Sequence, residues 1–135
     1  MAVSHLAQAL LDAYNRHDPA AAGALYADDS LHVEMSHGGR KQGPAAIAGG
    51  LAFLLRGFPD AVWRVHDLIA ADHRAAISYT LVGSLRADFG PYAAAGQRLE
   101  LPGVLIVHRD GDRISHSADY WDSATFARQM RADAA

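Results

Sequence analysis

Gly111-Asp112-Arg113-Ile114-Ser115-His116-Ser117-Ala118-Asp119-Tyr120-Trp121-Asp122 is the stretch on which the reading of this chain turns. The Arg109-Asp110-Gly111-Asp112 segment reads as a hairpin turn that launches a strand. With a period of two, Ser115, Ser117, Asp119 and Trp121 share one face, and Ile114, His116, Ala118 and Tyr120 share the other. A carboxylate beside an indole and small residues, just before the strand gives way to a helix, is expected to lose water. Desolvation raises its pKa into the range where it can accept and return a proton.

Upstream of this stretch lie three more strand patterns. Residues 61–71 alternate Val62, Arg64, His66 and Leu68 against Trp63, Val65, Asp67 and Ile69; residues 75–86 contain Ile77, Tyr79 and Leu81; the third spans residues 97–109. The first part of the chain has helical texture instead. Val3 to Asn15 places Leu6, Leu10, Ala13 and Tyr14 on one side. His17-Asp18-Pro19 restarts a short helix to about Tyr26, Ala27-Asp28-Asp29-Ser30 reads as a turn, and Leu31 to Met35 as a half-buried strand. Ser36 to Arg40 reads as a loop, and Gly43-Pro44 opens a third helix that Gly57 or Pro59 ends. Asp122 or Ser123 caps a last helix through Met130. Helices followed by a four-strand antiparallel run predict a single α+β domain over residues 1–135. Three N-terminal helices packed on a curved, mostly antiparallel sheet make a cone that encloses a pocket.

Composition narrows the function classes. The chain has 135 residues, half of them hydrophobic, and a formal net charge of −3 without a basic run. Nucleic-acid partners are therefore disfavoured. Cysteine is absent, which excludes disulfides, thiolate catalysis and Cys-ligated zinc. No apolar run approaches a membrane span and no secretory leader is evident, so neither a membrane nor an export route is expected and a cytoplasmic location is the default. The eight histidines contain no His-x-His, HExxH or helix-spaced His–carboxylate pair, so neither a metal nor any other cofactor is expected. Gly-x-Ser-x-Gly and phosphate-loop patterns are missing as well.

Asp119 is the first catalytic candidate, because Asp122 supplies the helix cap and leaves Asp119 without a structural duty. His32 and Glu34 share a strand face; if that face looks into a cavity, the pair can share a proton or hold a substrate oxygen. If Leu31, Val33 and Met35 fill the core instead, the polar pair faces solvent. Tyr14, Phe53, Phe58, Trp63, Tyr79, Phe89, Tyr92 and Trp121 supply aromatic surface for an apolar small-molecule pocket.

In order along the chain, several segments resemble the SnoaL-like polyketide cyclases of the nuclear transport factor two-like superfamily. They are Ala13-Tyr14-Asn15-Arg16-His17-Asp18, Tyr26-Ala27-Asp28-Asp29, Gly43-Pro44-Ala45-Ala46-Ile47, Gly83 to Gly96 with Arg98-Leu99-Glu100-Leu101-Pro102-Gly103-Val104, and Asp110-Gly111 through Asp119-Tyr120-Trp121-Asp122 with Ala127-Arg128-Gln129-Met130. The resemblance implies the cone-shaped fold and makes Asp119 the acid/base. Limonene epoxide hydrolases have a similar ending, and in ketosteroid isomerases a base aspartate falls on Glu34. Val104 stands where the cyclases have His, as a pocket residue, and the Arg-x-Asp pair of the epoxide hydrolases has no counterpart in Tyr79-Thr80-Leu81-Val82. The implied function is cofactor-independent cyclisation or isomerisation of a hydrophobic carbonyl compound such as a polyketide intermediate. Asp119 would move the proton, with His32 and Tyr79 as donors to the oxyanion and Glu34 as a second acid/base or as the group that orients His32. Trp63, Phe53, Phe58, Trp121, Tyr14 and Val104 are expected to line the pocket. The alternatives are isomerase or dehydratase chemistry on Glu34, epoxide hydrolysis, and a non-catalytic binding or dimerisation module. Apolar residues on both faces of the 97–109 strand predict a homodimer.

Overall fold

The apolar spacing near the N-terminus forms α1 (Val3–Asn15), whose Val3, Leu6, Ala7, Leu10, Leu11 and Ala13 are all buried. The computed structural model describes residues 2–131. Asp18 Oδ1 accepts from Ala21 N at 3.1 Å, and Pro19 occupies the first turn, so α2 (Pro19–Gly23) starts where the Asp-Pro pair predicts. There follow β1 (Tyr26–Glu34), β2 (Gly39–Gln42), α3 (Pro44–Gly57), β3 (Val62–Ala70), β4 (Arg74–Ser84), β5 (Arg98–Asp110), β6 (Arg113–Trp121) and α4 (Ser123–Arg131).

The strands form one six-stranded sheet in the order β2-β1-β6-β5-β4-β3. All pairs are antiparallel except β1 with β6, which run parallel. The expected four-strand run is thus the larger part of a mixed sheet. Two elements differ from the sequence reading. Ala27 to Ser30 is not a turn but part of β1, and Gly39 to Gln42 is not all loop but pairs with β1 as β2. Asp28, Asp29 and most of β2 stay exposed, which makes both segments polar; β2 pairs with residues 31–34 of β1, and the register of β1 against β6 is irregular between Tyr26 and Leu31. α2 accordingly ends at Gly23 rather than near Tyr26.

The alternation along β6 is also interrupted. Arg109 pairs with Ile114 and His108 with His116, so one extra residue bulges between them. Ile114, assigned by strict alternation to the face of His116, is instead wholly buried in the core. From Ser117 onward the expected faces hold.

The core lies between α1 and the concave side of the sheet, around Leu6, Leu10, Ile77, Leu105, Val107 and Ile114. Each such side chain contributes roughly 1.5–3 kcal/mol on burial. β3 is an edge strand, and α1 closes its start. Asn15 donates through Nδ2 to Trp63 O at 3.0 Å and accepts from Trp63 N at 2.8 Å. His17, at φ 57°, places Nε2 2.7 Å from Ala61 O. Edge backbone that would otherwise be free is thereby occupied. Helix α1 covers only part of the concave face. The remainder, between α3, α4 and the sheet, stays open.

Candidate active site

This opening is a cavity of about 1150 Å³, walled mainly by apolar side chains. Its polar floor comes from three strands. In the parallel β1–β6 pair, His32 is the register partner of Ser117 and Glu34 of Asp119. In β4, Tyr79 pairs with Gly103 of β5, which in turn pairs with Trp121 of β6. Tyr79 can reach across β5 to Asp119 only because Gly103 has no side chain: a Cβ there would run into the phenol. Tyr79 Oη donates to Asp119 Oδ1 at 2.6 Å.

The two carboxylates differ sharply. Burial opposes ionisation of Glu34, but hydrogen bonds outweigh it and hold its carboxyl below the usual range. His32 Nε2 lies 3.0 Å from Oε1, and Trp121 Nε1 donates to Oε2 at 2.8 Å. Asp119 is pushed up to about 7, first by burial and then by the neighbouring charge of Glu34. Asp119 keeps some accessible surface, but that surface faces the cavity. The phenol of Tyr79 is driven well above its ordinary value by burial and by the Asp119 charge, so it stays a neutral donor. Tyr14, also on the wall, is raised chiefly by burial.

His32 sits inside a relay. Its Nδ1 is 2.7 Å from Ser117 Oγ, which is 2.8 Å from Tyr26 Oη. An ionised carboxylate can only accept, so Nε2 carries the proton toward Glu34. In the neutral ring Nδ1 then accepts from Ser117, and Ser117 accepts from Tyr26. Both ring nitrogens are thus engaged within the protein. As the side chains stand, the Nε2–H of His32 is taken up by Glu34, the partner that the shared strand face suggested. Ser117 and Tyr26 were not among the candidates, although the alternation had already put Ser117 on the Asp119 face.

Tyr14, Phe53, Trp63, Tyr79 and Trp121 line the cavity as expected. Phe58 and Val104 do not. Phe58 is fully buried behind the wall, edge-on to Phe89 and Phe126. Val104 pairs with Ser78 and Tyr120 on the opposite, convex face and is 36% exposed. It follows Gly103, and successive strand residues point to opposite faces. Phe89, Tyr92, Phe126, Leu99 and Leu101 complete the apolar wall.

Linear spacing showed no metal pattern, yet the fold gathers His32, Glu34 and Asp119 so that one ligand atom from each lies within 4.8 Å of the others. A cation held there would have to break the His32–Glu34 hydrogen bond and take His32 Nε2 in its unprotonated form. As arranged, His32 is bonded to Glu34 and Asp119 to Tyr79.

Known proteins with this architecture fit the geometry. The family model of SnoaL-like polyketide cyclases matches residues 4–130. A candidate polyketide cyclase from Pseudomonas putida is 27% identical, with a TM-score of 0.82 over 96% of this chain and 98% of the other. A candidate polyketide cyclase from Xanthomonas campestris is 26% identical, with a TM-score of 0.80 over 93% and 94% of the two chains. A protein of ketosteroid isomerase-like fold from Catenulispora acidiphila, in complex with trimethylamine, is 19% identical, with a TM-score of 0.80 over 93% and 91%; it shows the shared fold. No curated protein matches the chain. With nearly every described element inside the matched segment and the cone-shaped sheet in place, the chain belongs to the SnoaL-like polyketide cyclase family.

Proposed function

We propose that the protein is a cofactor-independent acid/base enzyme that cyclises or isomerises a hydrophobic carbonyl compound such as a polyketide intermediate. One observation carries this reading: a carboxyl poised near neutrality, Asp119, faces an apolar cavity with a neutral phenol already bonded to it. Proton transfer is most efficient when the group's pKa lies near the working pH.

In the proposed reaction the ionised Asp119 takes the proton from the carbon alpha to a carbonyl, leaving an enolate. Protonation of Asp119 weakens the hold on Tyr79, whose hydroxyl turns to donate to the enolate oxygen. Preorganised donors of this kind contribute several kcal/mol in a dry site. In a cyclisation the enolate carbon then attacks a second carbonyl, and Asp119 returns its proton to the new alkoxide. In an isomerisation it returns the proton to a different carbon. Glu34 stays ionised throughout and, as the nearest charge, keeps Asp119 basic. That division of labour favours Asp119 over Glu34 as the base, since both oxygens of Glu34 are already held by His32 and Trp121.

Deuterium wash-in from heavy water into a series of one- to four-ring cyclic ketones, read by NMR, tests the assignment. Wild type is expected to accelerate exchange alpha to the carbonyl, and Asp119→Asn to lose that acceleration. Equal exchange by the two proteins sinks the reading.

The same reading includes a homodimer. The convex face presents Ile69, Val104 and Tyr120 to solvent, with Ile69 71% exposed. A second copy laid against this face would cover apolar surface that a monomer leaves wet. Sedimentation showing only a 14.4 kDa species at micromolar concentration excludes it.

A further inference from the structure

The charges that line the cavity are segregated by depth. Among the described residues its only acidic side chains are Glu34 and Asp119, both on the floor. Its lysine and arginines, Lys41, Arg56 and Arg131, are all exposed and come from three different elements: β2, α3 and α4. Lys41 is the single lysine of the chain. Its aliphatic stem lies over Gly50 of α3, the nearest carbon 3.4 Å from where a Cβ would stand, and the residue as a whole is exposed. Arg56 holds its guanidinium 5.3 Å from the centre of the Phe53 ring, itself 4.9 Å from the Phe89 ring. The cation therefore sits directly against the apolar wall.

None of these three cations forms an ion pair among the described residues. The nearby acids have other partners. Asp122 caps α4 by accepting from Thr125 N at 3.2 Å and Thr125 Oγ1 at 2.6 Å. Asp88 Oδ1 accepts from Ala94 N at 2.8 Å. A protein with a net charge of −3 thus lines one opening with three cations that form no ion pair among the described residues.

We infer that the substrate is anionic at one end: an apolar body with a carboxylate or phosphate group that stays at the lip between Lys41, Arg56 and Arg131 while its neutral carbonyl end reaches Asp119. The electrostatics also set the direction of entry. Glu34 is ionised at the floor and repels an anion that enters head first, whereas the lip attracts it. The substrate is thereby oriented with its enolisable carbon inward. This inference rests on the acid/base reading for which end reacts, but the binding preference stands apart from any turnover.

A matched pair of dyes tests it without a known substrate. 8-Anilinonaphthalene-1-sulfonate carries the anion, and N-phenyl-1-naphthylamine is the same skeleton without it. Fluorescence titration of wild type is expected to show the sulfonate binding at least about tenfold tighter at low salt. The gap should shrink in 0.5 M sodium chloride, because exposed charges are screened. In Lys41→Gln/Arg56→Gln/Arg131→Gln the gap should close, with the neutral dye unchanged within twofold. Displacement of the sulfonate dye by 1-naphthoate or by decyl phosphate distinguishes a carboxylate-ended ligand from a phosphate-ended one. Equal affinity for the two dyes in wild type, equal weakening of both in the variant, binding of the two dyes without mutual displacement, or no displacement by either anion overturns the inference. Failure of the deuterium wash-in with the dye preference intact would remove the proton-transfer role of Asp119 and leave the anion-binding lip standing.

Discussion

The concave and convex faces of β5 and β6 are built by alternate residues of the same strands, yet they do opposite things. Inward lie Gly103, Ser117, Asp119 and Trp121; outward lie Val104, Ala118 and Tyr120. On the concave side the polar groups around Asp119 hold one another: Asp119 by Tyr79, Glu34 by His32 and Trp121, Ser117 by Tyr26 and His32. On the convex side the apolar residues have no helix over them. The lesson is that removal from water makes a carboxylate useful inside, whereas incomplete removal from water makes the outer face suited to a partner. One residue of slip along the strand would exchange the two roles.

The largest effect that can break this comparison comes from a matched pair of substitutions. Asp119→Asn should lower turnover by about a thousandfold, within the range that general acid–base groups contribute. Val104→Lys, in a neighbouring strand but on the other face, should keep turnover and shift sedimentation toward the monomer. Retained activity in the first, or lost activity in the second, would show that the two faces are not functionally separate.

Gly103→Ala comes next. The added methyl displaces the Tyr79 ring from Asp119, so kcat should fall about 10- to 100-fold with a smaller change in KM. Tyr79→Phe should fall by a similar factor, and combining the two should add little, because both remove the same hydrogen bond. Additive losses would mean that Gly103 acts by some route other than Tyr79.

A third measurement separates the two acids through pH. If ionised Asp119 is the base, kcat/KM should rise with pH to a plateau above an apparent pKa of about 7. Glu34→Gln removes the negative neighbour, so this acid limb should move to lower pH. A limb that stays put would show that burial alone sets the Asp119 value.

The last effect is on stability rather than on rate. A carboxyl with a raised folded-state pKa gives the fold its full contribution below the unfolded value, near 3.8, and loses it as pH rises through about 7. Asp119→Asn removes that loss and should be more stable than wild type at pH 8 by up to roughly 4 kcal/mol, less whatever the Tyr79 hydrogen bond had returned. Thermal melts at pH 4 and pH 8 check the sign: the difference between variant and wild type should be larger at pH 8.

Much of the architecture is legible along the chain because local rules govern it. α1 runs from Val3 to Asn15 as its apolar spacing predicts, and Asp18-Pro19 and Asp122 begin their helices through their own side-chain and ring chemistry. The cavity-facing position of Asp119 was legible for a similar reason: it stands alone on a strand face with small residues and an indole. Of His32's two partners, Glu34 was on the same strand face and legible, whereas Ser117 was not. Ser117 lies 85 residues away and meets His32 through a parallel strand pair, for which no turn or hairpin signal exists. Val104 was misplaced because a position inherited by resemblance ignored the alternation that Gly103 imposes.

By itself, then, the sequence determined the order and boundaries of most elements, the α+β class and the placing of Asp119 and Trp121 on one strand face. All of these follow from periodicity and capping within a few residues. Only the tertiary structure decided that Glu34 lies beside Asp119, that Tyr79 passes over Gly103, and that Lys41, Arg56 and Arg131 surround one opening. Those outcomes depend on which strands pair and which helices close the cone. Charge and desolvation act through space, over distances that the linear spacing of residues does not record.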